Sequence, residues 1–167
     1  MPAIALRVET CRKDFKDSNS NVVYTMTQAW LANATRIDVH GARATIEWKR
    51  RGGHRFDGWR VHGIWCKKLA SGLASYPEGI EEQTSLLSNG DDRHLGLAAR
   101  NSQTGQTYLV CTETYWGHTN YEHAAMLLQP GIYDVDVLIE AQGGRTAFVE
   151  LEIQHGGGTS ALIAIQR

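Results

Sequence analysis

Apolar and polar residues alternate with a period of two along much of this chain, the signature of strands with one buried and one wet face. Ile4, Leu6 and Val8 alternate with Ala5, Arg7 and Glu9. The polar run Lys16-Asp17-Ser18-Asn19-Ser20-Asn21 predicts a turn, and residues 22–31 beyond it are rich in β-branched and aromatic types. Ile37 and Val39 alternate with Asp38 and His40. Ala42, Ala44, Ile46 and Trp48 then oppose Arg43, Thr45, Glu47 and Lys49, and Gly41 between the two sets predicts a bulge or bend. The pattern is clearest near the C-terminus. Tyr133, Val135, Val137 and Ile139 oppose Asp134, Asp136 and Glu140, and the turn Gln142-Gly143-Gly144 follows. Ala147, Val149, Leu151 and Ile153 then oppose Glu150, Glu152 and Gln154, which predicts a hairpin with one solvated face. A last strand is expected over 161–165.

The middle of the chain, about 50–92, is less regular. Gly52-Gly53, Pro77-Glu78-Gly79 and Asn89-Gly90 mark turns, and a short helix is expected around Ile80 to Leu87. Strands resume at Leu95 to Arg100 and at Thr107 to Glu113. Some eight to ten short strands separated by regular turns predict an all-β antiparallel sandwich, with residues 1–167 as a single domain and no linker between halves.

The run Leu128-Gln129-Pro130-Gly131-Ile132-Tyr133-Asp134-Val135-Asp136-Val137 resembles the L-x-P-G-x-Y-x-V-x-V signature of immunoglobulin-like and fibronectin type III-like domains. The resemblance, which spans residues 128–153, implies an immunoglobulin-like sandwich in which the Tyr133 hydroxyl is tied to nearby backbone. It places Val135 and Val137 in the core and makes 147–153 the final or penultimate strand. The antibody-type Cys…Trp…Cys pattern is missing, although Trp48 suits the core-tryptophan role. Such folds host many functions, so a function has to come from a site.

Composition narrows the choice. An apolar fraction of 42% with 21% charged residues predicts a folded, soluble chain. A net charge of −1 gives no global attraction to nucleic acid or to an anionic membrane. Cys11, Cys66 and Cys111 are odd in number and widely spaced, which favours reduced thiols in or near the core; one disulfide stays open. The N-terminus lacks a basic then apolar leader, and no run approaches the roughly 18 apolar residues of a membrane helix, so a cytoplasmic location is expected.

Charge is concentrated in residues 49–68. Seven of the 17 Lys and Arg residues lie there with one acid, Asp57, so the segment carries +6 and the remainder −7. Phe56, Trp59 and Trp65 are interleaved with the cations. Arg51, His54, Arg55, Trp59, Arg60 and Trp65 are therefore candidate contacts, with guanidinium groups for carboxylates or phosphates and rings for stacking. The plainer reading is a long hairpin with a solvated tip whose tryptophans plug the open end of the sandwich. A second candidate is Glu113-Thr114-Tyr115-Trp116-Gly117-His118-Thr119-Asn120-Tyr121-Glu122-His123. Its histidines are five apart, facing opposite sides of a strand and misaligned on a helix, so an end loop presenting Tyr115 and Trp116 is expected rather than a metal site.

No G-x-S-x-G elbow, phosphate loop, dinucleotide fingerprint or H-E-x-x-H motif is present, and no cofactor is implied. The acidic stripe Asp134, Asp136, Glu140, Glu150 and Glu152 reads as a solvated sheet face in preference to a calcium site. Three readings remain. The foremost is a non-catalytic interaction module for a protein partner or adjacent domain. The second is a carbohydrate-binding module with Trp59, Trp65, Tyr115 and Trp116 as platforms. The third is a binder of anionic ligands or nucleic acid, which the acidic remainder of the chain disfavours. An enzyme assembled from distant residues such as His54, His94 and His118 ranks last.

Overall fold

The computed structural model describes residues 3–53, 58–66, 82–115, 122–156 and 163–166. Within that range the alternation becomes eleven strands: β1 (Leu6–Lys16), β2 (Val22–Asn33), β3 (Val39–Arg50), β4 (Gly58–His62), β5 (Ile64–Cys66), β6 (Thr84–Leu86), β7 (Arg93–Asn101), β8 (Thr107–Leu109), β9 (Gly131–Glu140), β10 (Thr146–His155) and β11 (Ile163–Gln166). The number exceeds eight to ten because β5, β6 and β8 are three-residue pieces, too short to show a period. β6 stands where a helix around 80–87 was expected: Thr84 and Leu86 are buried and pair with β3. A four-residue helix, α1 (Thr112–Tyr115), replaces the end of the strand expected to reach Glu113. Among the described residues no helix is long and apolar enough to cross a membrane.

Every strand ladder is antiparallel, and the ladders form two sheets. The first runs β11-β10-β9-β3-β4, with β6 also on β3; the second runs β1-β2-β7-β5, with β8 also on β7. The fold is an all-β sandwich. Gly41 has φ +64, and the β3–β6 register shifts between Val39 and Ala42, so the predicted bulge is present. Gly63 is where the chain leaves the first sheet for the second. A Cβ there would lie 2.7 Å from Leu95 Cδ1 and 3.2 Å from Ala44 Cβ, so the crossing requires glycine.

The main core follows from the inward positions of β3, β9 and β10. Ile46, Trp48, Tyr133, Val135, Ile139, Leu151 and Ile153 all have essentially no exposed surface. Trp48 and Tyr133 meet edge-to-face, with centroids 5.9 Å apart at 73°. The Tyr133 hydroxyl donates to the Gln129 carbonyl at 2.6 Å, the backbone tie expected of that tyrosine. A second cluster, with Phe15, Tyr24, Met26, Ile64, Ala99 and Val110, lies on the other face of the second sheet, where Phe15 and Tyr24 stack at 4.5 Å. Cys11, Cys66 and Cys111 are free thiols, and burial pushes the Cys66 thiol up to about 12.

Trp48→Ala is expected to cost about 3–5 kcal/mol in urea denaturation, the usual penalty for emptying a buried aromatic site. Tyr133→Phe, which removes one hydrogen bond without changing shape, is expected to cost about 1 kcal/mol.

Candidate functional site

The charged segment begins on β3. Side chains at Lys49 and Arg51 point to the outer face of the first sheet, where the register aligns Lys49, Asp134 and Glu152 across three strands. Arg51 sits diagonal to that row and reaches back into it. Its Nη2 lies 2.8 Å from Asp134 Oδ1 and 2.5 Å from Glu152 Oε1, and its backbone N–H donates to the Ile132 carbonyl at 2.8 Å. Hydrogen bonds from Arg51 to Asp134 and then Glu152 raise its pKa further above its ordinary value. Lys49 Nζ contacts Glu47 at 3.2 Å, and Arg50 Nη2 donates to the Pro130 carbonyl at 2.6 Å. Part of the charge asymmetry read from the sequence is thus satisfied inside the chain, by the acidic stripe on β9 and β10.

The tryptophans divide. Trp59 on β4 stands directly across from Trp48 and is half-buried; its ring centroid is 6.3 Å from that of Tyr133, and its indole N–H donates to the Ala125 carbonyl at 3.1 Å. Trp65 on β5 is 2% exposed and donates to the Ala42 carbonyl at 3.0 Å, so it offers no ring face to a ligand. Arg60 is exposed on the outer face, opposite Glu47. His54, Arg55 and Trp116 lie outside the described residues, and Tyr115 is described only as the last residue of α1.

Two contacts tie β4 to the second candidate segment and to the turn that follows it. The first is the Trp59–Ala125 hydrogen bond, close to the turn at Ala124–Met126 that His123 Nδ1 caps by accepting from the Ala125 N–H at 3.1 Å. The second is at His62. Its backbone N–H donates to both Glu113 carboxylate oxygens at 2.8 and 3.0 Å, and its Nδ1 lies 2.5 Å from Glu113 Oε1. The carboxylate therefore occupies the N–H that an edge strand would otherwise offer to another chain. Neither His62 nor Glu113 stands out in the sequence: they are 51 residues apart, and only the turn of the chain at Gly63 and beyond brings them together. Asn101 and Glu122, joined by a side-chain hydrogen bond, fix the far end of the same connection.

Burial alone would push the Glu113 carboxyl up. Hydrogen bonds from its own backbone N–H, from the His62 ring and from the His62 N–H outweigh that, together with the charge of His62, and hold the carboxyl below its ordinary value. The His62 side chain is 69% exposed, so one imidazole edge remains open to solvent beside Arg60. Among the described residues no group of three or more His, Cys, Asp or Glu is placed to hold a metal ion. The arrangement offers a cation, an imidazole and a carboxylate beside the half-buried Trp59, which is the chemistry of a polar contact surface.

A carboxyl depressed in the folded state stabilises fully above the unfolded pKa of about 4.3 and loses that contribution as pH falls through the lower folded value. Acid unfolding of Glu113→Gln is accordingly expected to show a shallower loss of Tm below about pH 4.3 than the parent chain, with the two curves parallel above it. Comparison with protein-family models, with curated proteins and with solved structures finds no match to this chain.

Proposed function

We propose that the protein is a non-catalytic, immunoglobulin-like binding module that engages a protein partner or adjacent domain at the end of the sandwich where β4 meets α1 and the turn at Ala124–Met126. The observation that carries this reading is the junction itself: His62–Glu113 joins the two segments and Trp59–Ala125 ties β4 to the turn beyond, while Arg60 and His62 stay exposed. The Tyr133–Gln129 tie is in keeping with the immunoglobulin-like part of the reading. A rigid sheet edge carrying exposed polar side chains around a packed aromatic is a common design for an interaction surface. Since Arg50 and Arg51 are engaged within the chain, Arg60 is the described cation best placed to meet a partner's carboxylate.

A sugar platform needs a flat ring open to water. Trp65 is enclosed and Trp59 lies near Tyr133 with its N–H engaged, so those rings favour the protein-partner reading over the carbohydrate one.

With the intact chain as bait, a partner recovered and identified by mass spectrometry is expected to lose affinity about tenfold with Arg60→Glu combined with His62→Ala, and to bind more weakly as salt rises. Lys16→Glu, in the β1–β2 turn region, should leave binding unchanged. Equal binding by the double variant and the parent chain would overturn the site.

A further inference from the structure

The segment from His123 to Pro130 is fastened to both sheets through its backbone. Its Leu128 N–H donates to the Thr107 carbonyl at 2.8 Å, and Leu127 meets Tyr108 of β8 in an isolated bridge. Toward the first sheet, three of its carbonyls accept side-chain hydrogen bonds. Ala125 accepts from Trp59 at 3.1 Å, Gln129 from Tyr133 at 2.6 Å and Pro130 from Arg50 at 2.6 Å. A strap held by single contacts at separate points, with no ladder along it, opens locally at lower cost than the strands it crosses.

Two histidines act on this strap, and both arrangements suit a neutral ring. His123 Nδ1 accepts from the Ala125 N–H at 3.1 Å, a role open only to a ring nitrogen without a proton. His155, the last residue of β10, stands across from Gly131 and is 5% exposed. Its Nδ1 is buried without a hydrogen-bond partner, so a proton added there meets no acceptor. Thr107, whose carbonyl holds Leu128, also has a fully buried hydroxyl without a partner. Buried polar atoms are nearly always satisfied, so two exceptions beside one segment leave its closed state only narrowly favoured.

Burial holds the His155 imidazole below its ordinary pKa. Interaction with the Leu128 backbone acts the other way, and the positive charge of Arg100 on β7, itself partnered, lowers it further. β8 and β9 contribute Thr107 and Gly131 here, and neither titrates. Beside His123 the charged neighbour along the chain is Glu122, which accepts a hydrogen bond from Asn101. A ring whose pKa is lowered by closure supports the closed state fully above about pH 6.5 and loses that contribution as pH falls through the lower value.

We propose that the His123–Pro130 strap is a pH-operated latch, closed while His123 and His155 are neutral and released when they take up protons. Release opens the buried Thr107 hydroxyl and the His155 ring to water. It also frees Ala125 from Trp59, and with it one side of the contact surface proposed above. That last consequence rests on the binding reading, whereas the latch is tested on the chain alone.

The test is amide hydrogen exchange of the full, unbound chain by NMR from about pH 7.5 to about pH 5, corrected for the intrinsic rate at each pH. Protection of the Leu128 amide is expected to fall below about pH 6.5, by up to about tenfold per pH unit for each proton taken up. Val137 and Val149, in the β9–β10 ladder, should keep theirs. His155→Leu, which fills the site without titrating, should remove most of the fall. Adding His123→Asn, which can still cap the turn, should remove the rest. In the parent chain the His155 Cε1 proton should titrate in step with the Leu128 amide, which keeps the test decisive if the leucine variant does not fold. Leu128 protection that stays level, falls equally in the double variant, or falls only together with Val137 and Val149 would overturn the proposal, as would a His155 titration that leaves Leu128 unmoved.

Discussion

The packing of Trp48 against Tyr133 is the constraint on which much else depends. Both rings are without exposed surface, and they come from neighbouring central strands, β3 and β9, whose register is set by eight aligned residue pairs. Placing Trp48 inward forces Lys49 and Arg51 outward, over the acidic residues of β9 and β10. It also sets Trp59, the cross-strand partner of Trp48, half-buried against the main core. Burying an indole and a phenol removes hundreds of Å² from water, so the order of strengths is clear: exposed ion pairs of a few tenths of a kcal/mol follow the ring placement and do not direct it. The basic segment is therefore in large part a consequence of the core.

The same hierarchy explains the second sheet. Its strands are covered on both faces, each with its own apolar cluster, and the bulge at Leu97 lets one strand serve both. Where the apolar side chains change face, the polar ones must follow, and a groove lined by Arg12, Asp14, Thr25, Thr27 and Arg100 is the result. A sandwich that keeps arginine and threonine on that surface gives up hydrophobic burial there.

Some of this was legible in the residues alone and some was not, for identifiable reasons. The β9–β10 hairpin and β3 have one wet face, so their alternation, the inward set from Tyr133 to Ile153 and the Gly41 bulge all followed from pattern. β5 and β6 are three-residue strands that carry no period, and β6 was masked by a stretch that suits a helix equally well. Residues 49–68 stood out by composition, but that Arg51 would be held by Asp134 and Glu152, 83 and 101 positions along the chain, was a property of register. Trp65 read as a stacking ring because aromatic content says nothing of facing; a position two residues beyond Gly63, in the crossing strand, is what encloses it. The groove escaped notice because Arg12, Asp14, Thr25 and Thr27 at alternate positions read as an ordinary wet face. Only the tertiary pairing shows which side of the sheet that face occupies.

Two surfaces thus emerge from one framework: a sandwich end where Glu113 of α1 is tied to β4, and a polar groove behind the bulge of β7. The first is the central claim, and hydrogen–deuterium exchange of the intact chain, alone and with its captured partner, tests it most directly. Among the described residues, the account predicts slower exchange confined to Gly58–His62, Thr112–Tyr115 and Ala124–Met126 on binding. Protection on the outer faces of β1 or β10, with those two segments unchanged, would contradict it.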